Sequence, residues 1–179
     1  MLDIDKINNI PFFFIVARGR SGTTLLQHIM DANPHVVLPI ESKLIIHLKQ
    51  RYFKIDCWTD ELIDKFIIDL YKDFKLSNHW NIDQDKLACS IKSFPKAKLS
   101  FQTICKIIYL SYLSPFKKEN TLIIGAKNPV YSIFIKELRE LFPNAKFIHL
   151  VRDYRDNIMS NKKTVSSFDK ISTLAQGWV

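Results

Sequence analysis

The feature that most constrains the fold is a short apolar run that leads directly into a glycine-containing loop and then into a helix. Residues 11–17, Pro-Phe-Phe-Phe-Ile-Val-Ala, are β-prone and uncharged, the pattern of a strand buried on both faces. Residues 18–22 form a tight loop, and residues 23–32 are predicted to be a helix that stops near Asn33-Pro34. Strand, loop and helix make one structural unit.

Two further strands are predicted nearer the C-terminus, and each ends in basic residues. The predicted strands are residues 121–125 and 146–151, and the predicted helices are residues 130–142 and 153–163. This order predicts an α/β protein with a central parallel sheet and flanking helices. Ligands of such sheets bind beyond the carboxyl ends of the strands, where residues 18–24, 126–129 and 152–155 are expected to meet.

The middle of the chain is predicted to be helical. Thr59 is a candidate N-cap, and an apolar stripe at helical spacing follows it as far as Tyr71 and Phe74. A second stripe runs from Phe101 to Tyr112. Both stripes are interpreted as core-facing, and neither carries a functional prediction.

The length of 179 residues predicts a single domain, residues 1–179, with a hydrophobic core of its own. Residues 10–17 are far too few to span a bilayer, which takes about 20, so no membrane span is expected. The three cysteines are odd in number and show no C-x-x-C spacing, which argues against a disulfide framework or a zinc site. Scattered cysteines of this kind favour a reducing, cytoplasmic location.

The net charge of +8 is concentrated in the second half of the chain. Residues 1–85 carry 10 Lys/Arg against 12 Asp/Glu, whereas residues 86–179 carry 16 against 6. A basic half suits an anionic ligand, and the charge alone does not choose between a nucleotide, another polyanion and a nucleic acid. The motifs below favour a nucleotide over a nucleic acid.

The first loop has the composition of a phosphate or sulfate cradle. Its candidate ligand-binding residues are Arg18, Gly19, Arg20, Ser21, Gly22, Thr23 and Thr24. Glycines allow the backbone to approach an anion, and the amides at a helix N-terminus point toward it. The hydroxyls of Thr23 and Thr24 and the guanidinium of Arg20 add further donors.

The loop is not a Walker A motif. That motif has four residues between its glycines and then a lysine, whereas two residues separate Gly19 from Gly22 and Thr23 stands in the lysine position. The loop therefore lacks the lysine that a kinase-like phosphoryl transferase requires, which argues against that function.

The loop does resemble the 5′-phosphosulfate loop of sulfotransferases, which typically reads Lys/Arg-Ser-Gly-Thr-Thr after a strand. The similarity is greatest to the tyrosylprotein sulfotransferases and their bacterial relatives. It continues through Met30 to Val36, and it returns at Lys127-Asn128-Pro129 and in residues 141–155. The resemblance implies a P-loop-like three-layer fold, 3′-phosphoadenylyl sulfate as the nucleotide sulfuryl donor, a hydroxyl acceptor of unknown class and no metal.

The same resemblance implies roles for individual residues. In that family, an arginine at a strand end and a serine eight residues later hold the 3′-phosphate of the cofactor, and Arg152 and Ser160 have this spacing. Arg20 and Lys127 correspond to the cations that contact the transferring group. Glu41, 21 residues after Arg20, matches the glutamate that acts as the catalytic base.

Histidine is the alternative base, because some sulfotransferases use one. His28, within the predicted first helix, and His149, within a predicted apolar strand, are expected to be packing residues. His47 is kept as a reserve base. Asp153 and Asp156 are expected to order Arg152 and Arg155 by local hydrogen bonds.

Family domains normally continue well past a point corresponding to Val179, so the resemblance also predicts that the domain is truncated at its C-terminus. This prediction leaves a different class of function open. The chain could be a non-catalytic module that binds a nucleotide or polyanion, and separate measurements of binding and turnover distinguish the two.

Overall fold

A four-stranded parallel sheet lies at the centre of the protein. The computed structural model describes residues 3–162. Its strands are β1 (Phe12–Ala17), β2 (Val36–Val37), β3 (Ile123–Lys127) and β4 (Lys146–Leu150). They lie in the order β2-β3-β1-β4, and every pairing is parallel. The predicted α/β class with a parallel sheet is therefore confirmed.

Helices cover both faces of this sheet. They are α1 (Ile4–Asn9), α2 (Thr23–Asp31), α3 (Leu44–Tyr52), α4 (Asp60–Leu70), α5 (Phe74–His79), α6 (Gln84–Lys92), α7 (Phe101–Leu110), α8 (Ile135–Leu141) and α9 (Tyr154–Lys162). Side chains of β1 alternate between two cores, as expected for a strand buried on both faces. Phe12, Phe14 and Val16 enter the large helical core, and Phe13 and Ile15 enter a smaller core that packs against α2.

The helical middle differs from the prediction at one boundary. Thr59 does cap α4, because its hydroxyl accepts a hydrogen bond from the amide of Leu62 at 3.2 Å. The predicted continuation of one helix through Tyr71 and Phe74 is wrong, since the helix ends at Leu70, although Tyr71 does pack against the core as predicted. The Asp73 carboxylate accepts from the amides of residues 75 and 76 and begins a new helix there, which interrupts the helical register.

The segment after β3 also differs from the prediction. A single helix was expected over residues 130–142, but the structure has a 3₁₀ helix, Pro129–Ile133, followed by α8. The side chain of Asn128 accepts from the amide of Val130 at 3.0 Å and so caps the 3₁₀ turn. β3 itself lies two residues later than the predicted strand, which places Lys127 at its end.

Within residues 3–162, no helix combines the length and the apolar character needed to cross a membrane.

Gly125 provides a test of how tightly the strands and the second core pack. A Cβ on this residue would overlap the Phe13 ring and approach Leu38 Cδ1 to 2.8 Å, and both neighbours are buried. We expect Gly125→Ala to lower the free energy of unfolding by about 1–3 kcal/mol through overpacking. Chemical denaturation measures the change.

Gly19→Ala is the matched control, because a Cβ at Gly19 would meet nothing within 4 Å. We expect it to change the unfolding free energy by less than about 0.5 kcal/mol. Equal stabilities of the two variants would contradict the close packing described around Gly125.

Candidate active site

The three basic strand ends meet at one edge of the sheet. β1 lies between β3 and β4 and is parallel to both, with Ile15 opposite Lys127 and Ala17 opposite Leu150. The loop after β1, the end of β3 and the residues after β4 therefore lie side by side. This is the arrangement predicted from the order of strands and helices.

The loop between β1 and α2 has an unusual backbone. Arg20 and Gly22 both have left-handed φ angles, 67° and 89°. Glycine tolerates this region freely, but for arginine it carries a conformational cost of the kind that often marks functional sites. Gly22 is the N-cap of α2 and has no side chain with which to cap it. The first amides of α2 are thus oriented to receive an anion.

The loop forms one wall of a crevice with a volume of about 340 Å³. Its lining residues are Gly19, Arg20, Gly22, Thr23, Thr24, Glu41, Pro129, Arg152 and Ser160. Eight of these were predicted as site residues from the sequence. Of the other predicted residues, Lys127 contacts two lining side chains, the loop residue Ser21 is buried, and Arg18 does not line the crevice.

Residues before and within α9 hold the loop from one side. Arg20 Nε donates to Ser160 Oγ at 3.1 Å, and Arg152 donates to the backbone carbonyl of Arg20 at 3.2 Å. Arg152 also lies 3.7 Å from the carboxylate of Asp156, and Arg155 makes a two-pronged contact with Asp153. The predicted local hydrogen bonds are confirmed for Arg155 and Asp153, whereas Arg152 and Asp156 form an ion pair only. Hydrogen bonds from Arg155 lower the pKa of Asp153 to about 2.

The opposite wall carries the predicted base and a buried cation. The Lys127 side chain is only 4% exposed, and its ammonium donates to Glu41 Oε2 at 3.1 Å and to Thr24 Oγ1 at 3.3 Å. Burial lowers the pKa of Lys127. The other carboxylate oxygen of Glu41 is paired with Lys75 of α5. Burial, and to a smaller extent the charge of Lys127, lower the pKa of Lys75.

Long-range hydrogen bonds fix the segment that carries Glu41, which belongs to no helix or strand. The backbone carbonyl of Ser42 accepts from Asn128 and from the Tyr131 hydroxyl, both at 3.1 Å. The Ser42 hydroxyl donates to Asp73 at 2.7 Å. The neighbours of Glu41 are therefore bound to the neighbours of Lys127, and this explains why the two charges meet.

Asn157 and Lys75 also belong to this site, and neither was predicted. Asn157 is completely buried, and its amide group donates to the carbonyl of Gly19 at 2.7 Å and lies 3.5 Å from Ser21 Oγ. It precedes Ser160 by three residues on α9, so helical periodicity alone could have identified it. Lys75 gives no such signal, because its link to Glu41 depends on the fold of the helical middle.

The histidines are placed differently from the prediction. His28 and His149 were expected to be packing residues, but both are exposed. His28 is exposed on α2, where its Nδ1 is 2.8 Å from the carbonyl oxygen of Thr24, and His149 lies on β4, an edge strand of the described sheet. His47 is exposed in a groove next to the crevice, and Glu41 lines both.

A parallel sheet with an uncapped helix N-terminus beside clustered cations defines an anion-binding α/β protein of the P-loop-like kind. Comparison with known families identifies it further. Residues 11–176 match the sulfotransferase family. The chain belongs to this family.

Curated relatives support the same assignment. The chain is 27% identical over 167 residues to protein-tyrosine sulfotransferase 1 of Rattus norvegicus, and the match covers 90% of this chain and 37% of that protein. It is 26% identical over 166 residues to the protein-tyrosine sulfotransferase of Drosophila melanogaster, covering 89% and 27%. It is 25% identical over 173 residues to omega-hydroxy-beta-dihydromenaquinone-9 sulfotransferase Stf3 of Mycobacterium bovis, covering 80% and 42%. The chain thus spans less than half the length of these relatives.

Asn157 offers a test of how the loop is held. Asn157→Ala removes the donor to the Gly19 carbonyl, and the loss of a buried hydrogen bond should lower the free energy of unfolding by about 1–3 kcal/mol. We also expect faster hydrogen exchange of the amides of residues 18–22. Met159→Ala, at a half-exposed position of the same helix, is the control and should have little effect. Unchanged exchange in Asn157→Ala would contradict its role in holding the loop.

Proposed function

We propose that this protein transfers a sulfuryl group from 3′-phosphoadenylyl sulfate to an acceptor hydroxyl. The observation that carries the proposal is the crevice, in which the uncapped start of α2 faces an ion pair between a buried lysine and a glutamate. Glu41 is the single carboxylate among the nine lining residues, so the crevice suits an anionic donor while retaining one group that can accept a proton. Membership of the sulfotransferase family supports the same donor.

The residues of the crevice fit the two anionic ends of such a nucleotide. The amides of the first turn of α2, with the hydroxyls of Thr23 and Thr24, would hold the 5′-phosphosulfate. Arg152 and Ser160 would hold the 3′-phosphate, because both line the crevice beside the loop. Arg152 is well suited to this task, since a guanidinium can bind two oxygens of a phosphate at once.

The donor supplies an electrophilic sulfur, whose bond to the phosphate oxygen breaks as the acceptor oxygen bonds to it, leaving the electron pair on the phosphate. Arg20 and Lys127 then stabilise the negative charge that develops on the oxygens around the transferred group. Glu41 accepts the proton that the acceptor hydroxyl loses, which makes the hydroxyl an effective nucleophile. The products are a sulfate ester, the 3′,5′-bisphosphate nucleotide and a protonated Glu41.

Two acceptor classes deserve testing, because the names of the relatives specify a protein tyrosine and the hydroxyl of a menaquinone. The reaction chemistry is the same for a phenol and for an aliphatic alcohol.

The cytoplasmic location stays a prediction that rests on the cysteines.

Arg152→Ala tests the nucleotide assignment. We expect affinity for 3′-phosphoadenosine 5′-phosphate to fall by about 1.5–3 kcal/mol, because a charge-assisted contact to the 3′-phosphate is lost. Affinity for adenosine 5′-phosphate should fall much less, because Arg152 affects that end of the nucleotide only through its bond to the Arg20 carbonyl. Isothermal titration of both nucleotides measures the difference, and Arg139→Ala, which removes an exposed arginine from α8, controls for net charge. Equal binding of the two nucleotides by the wild-type chain would contradict the assignment.

Glu41→Gln tests the proposed base. The amide keeps the size of the side chain but cannot accept a proton at neutral pH, so turnover should fall by about 10²–10⁴-fold without any loss of nucleotide affinity. Release of 3′-phosphoadenosine 5′-phosphate is measured with a tyrosyl peptide and with an aliphatic alcohol as acceptors. Glu140→Gln, on the surface of α8, is the matched control. Full turnover in Glu41→Gln would exclude the assignment and make His47 the next candidate.

A further inference from the structure

Glu41 is held by two ammonium groups that approach it from different directions. Lys127 lies at the end of β3, with its side chain almost fully buried, and contacts Glu41 Oε2. Lys75 lies in the first turn of α5, with its side chain about half-exposed, and contacts Oε1. The Glu41 side chain is itself only 27% exposed, so both ammonium groups matter to its charge.

The two lysines face different spaces. Lys127 also contacts Thr24 on the loop helix, within the part of the site that receives the donor. Lys75 does not line the donor crevice; it lines a neighbouring groove of about 550 Å³ that shares Glu41 and Pro129 with the crevice. A donor in the crevice therefore competes with Glu41 for Lys127 and leaves Lys75 in place.

This difference has a chemical consequence. When Lys127 turns toward the oxygens of the donor, Glu41 keeps its burial but loses one counter-charge, and a new anion lies nearby. Burial and a neighbouring anion both favour the protonated form of a carboxylate. A protonated Glu41 cannot accept the acceptor proton, so a second cation is needed on the side away from the donor.

The backbone holds Lys75 and Glu41 in a fixed relation. The Asp73 carboxylate accepts from the amide of Lys75 at 3.0 Å, and its second oxygen accepts from the amide of Lys43 at 2.8 Å and from the Ser42 hydroxyl. One side chain thus joins the start of α5 to the two residues that follow Glu41. The contact between Lys75 and Glu41 follows from this junction.

We propose that Lys75 is a positioning residue that keeps Glu41 ionised while Lys127 serves the donor. The inference rests on the proposed function, in which Glu41 is the base. Lys75 acts through Glu41 and does not contact the reacting atoms.

Other charged groups also face Glu41 and contribute to its state. They are Arg20 and Arg152 across the crevice, and Lys43, His47, Lys72 and Asp73 around the groove. Lys72 is paired with Asp69, and Asp73 is bound to backbone amides. The direct ion-pair partners of Glu41 among the described residues are Lys75 and Lys127.

The test measures the protonation of Glu41 directly. Glutamate labelled with ¹³C at the side-chain carboxyl is titrated by NMR, and the Glu41 signal is assigned from its loss in Glu41→Gln. The variants are Lys75→Met, Lys75→Arg, which retains the cation, and Lys86→Met, which removes an exposed lysine from α6. Each is titrated with and without saturating 3′-phosphoadenylyl sulfate, in the absence of any acceptor, and thermal unfolding shows that it is folded.

We expect the midpoint of the Glu41 titration in the nucleotide complex to rise by about one pH unit in Lys75→Met. An adjacent cation favours the ionised form of a carboxylate, and this effect is at the low end of its usual range when the lysine of the pair is half-exposed. The rise should be smaller without nucleotide, when Lys127 still pairs with Glu41. The acid limb of kcat/KM for the acceptor, measured at saturating donor, should shift by the same amount, and Lys75→Arg and Lys86→Met should match the wild type. An unshifted midpoint in the Lys75→Met complex would overturn the proposal.

The titration needs no turnover, so the two proposals fail in different ways. A wild-type chain that binds the nucleotide but transfers no sulfuryl group contradicts the proposed reaction. The midpoint shift still decides whether Lys75 keeps Glu41 ionised in that case.

Discussion

The parallel pairing of β1 with both β3 and β4 is the constraint on which the site depends. β1 is buried on both faces and hydrogen-bonded on both edges, so its end cannot shift relative to its neighbours. The loop after β1, Lys127 and Arg152 are consequently brought to one edge by the sheet itself. If the register of these strands moved by one residue, the loop and the two cations would no longer lie together, and the binding site would be lost.

The site brings several positively charged side chains close together, which is electrostatically unfavourable. Neighbouring groups offset part of this cost. Lys127 is buried in a position where its charged form is disfavoured, and its pairing with Glu41 compensates for part of that burial. The left-handed backbone of Arg20 is held by bonds to both its side chain and its carbonyl. Groups of the chain itself thus fix the shape of the loop, and a loop fixed in this way has less conformational freedom to lose on binding.

The parts of the site that depend on short-range sequence patterns could be predicted from the sequence. The strand, loop and helix of residues 11–32 have a short-range pattern, and the positions of Arg20, Lys127 and Arg152 follow from strand ends. The end of α4 was not predicted, because apolar spacing continues past it and only the cap at Asp73 interrupts the helix. The exposure of His149 was missed because it depends on β4 being an edge strand of the sheet within residues 3–162, which is a property of the sheet as a whole.

Chain order has a further consequence for how this site is made in the cell. The contacts that close it join residues far apart in sequence: Gly19 and Asn157 are separated by 138 positions, and Arg20 and Ser160 by 140. At a synthesis rate of about 5–20 residues per second, the first loop exists for on the order of ten seconds before its partners on α9 are made. During that interval the loop has no access to the groups that hold it in the finished protein. Assembly of the crevice must therefore wait until α9 has been made, 140 residues after Arg20.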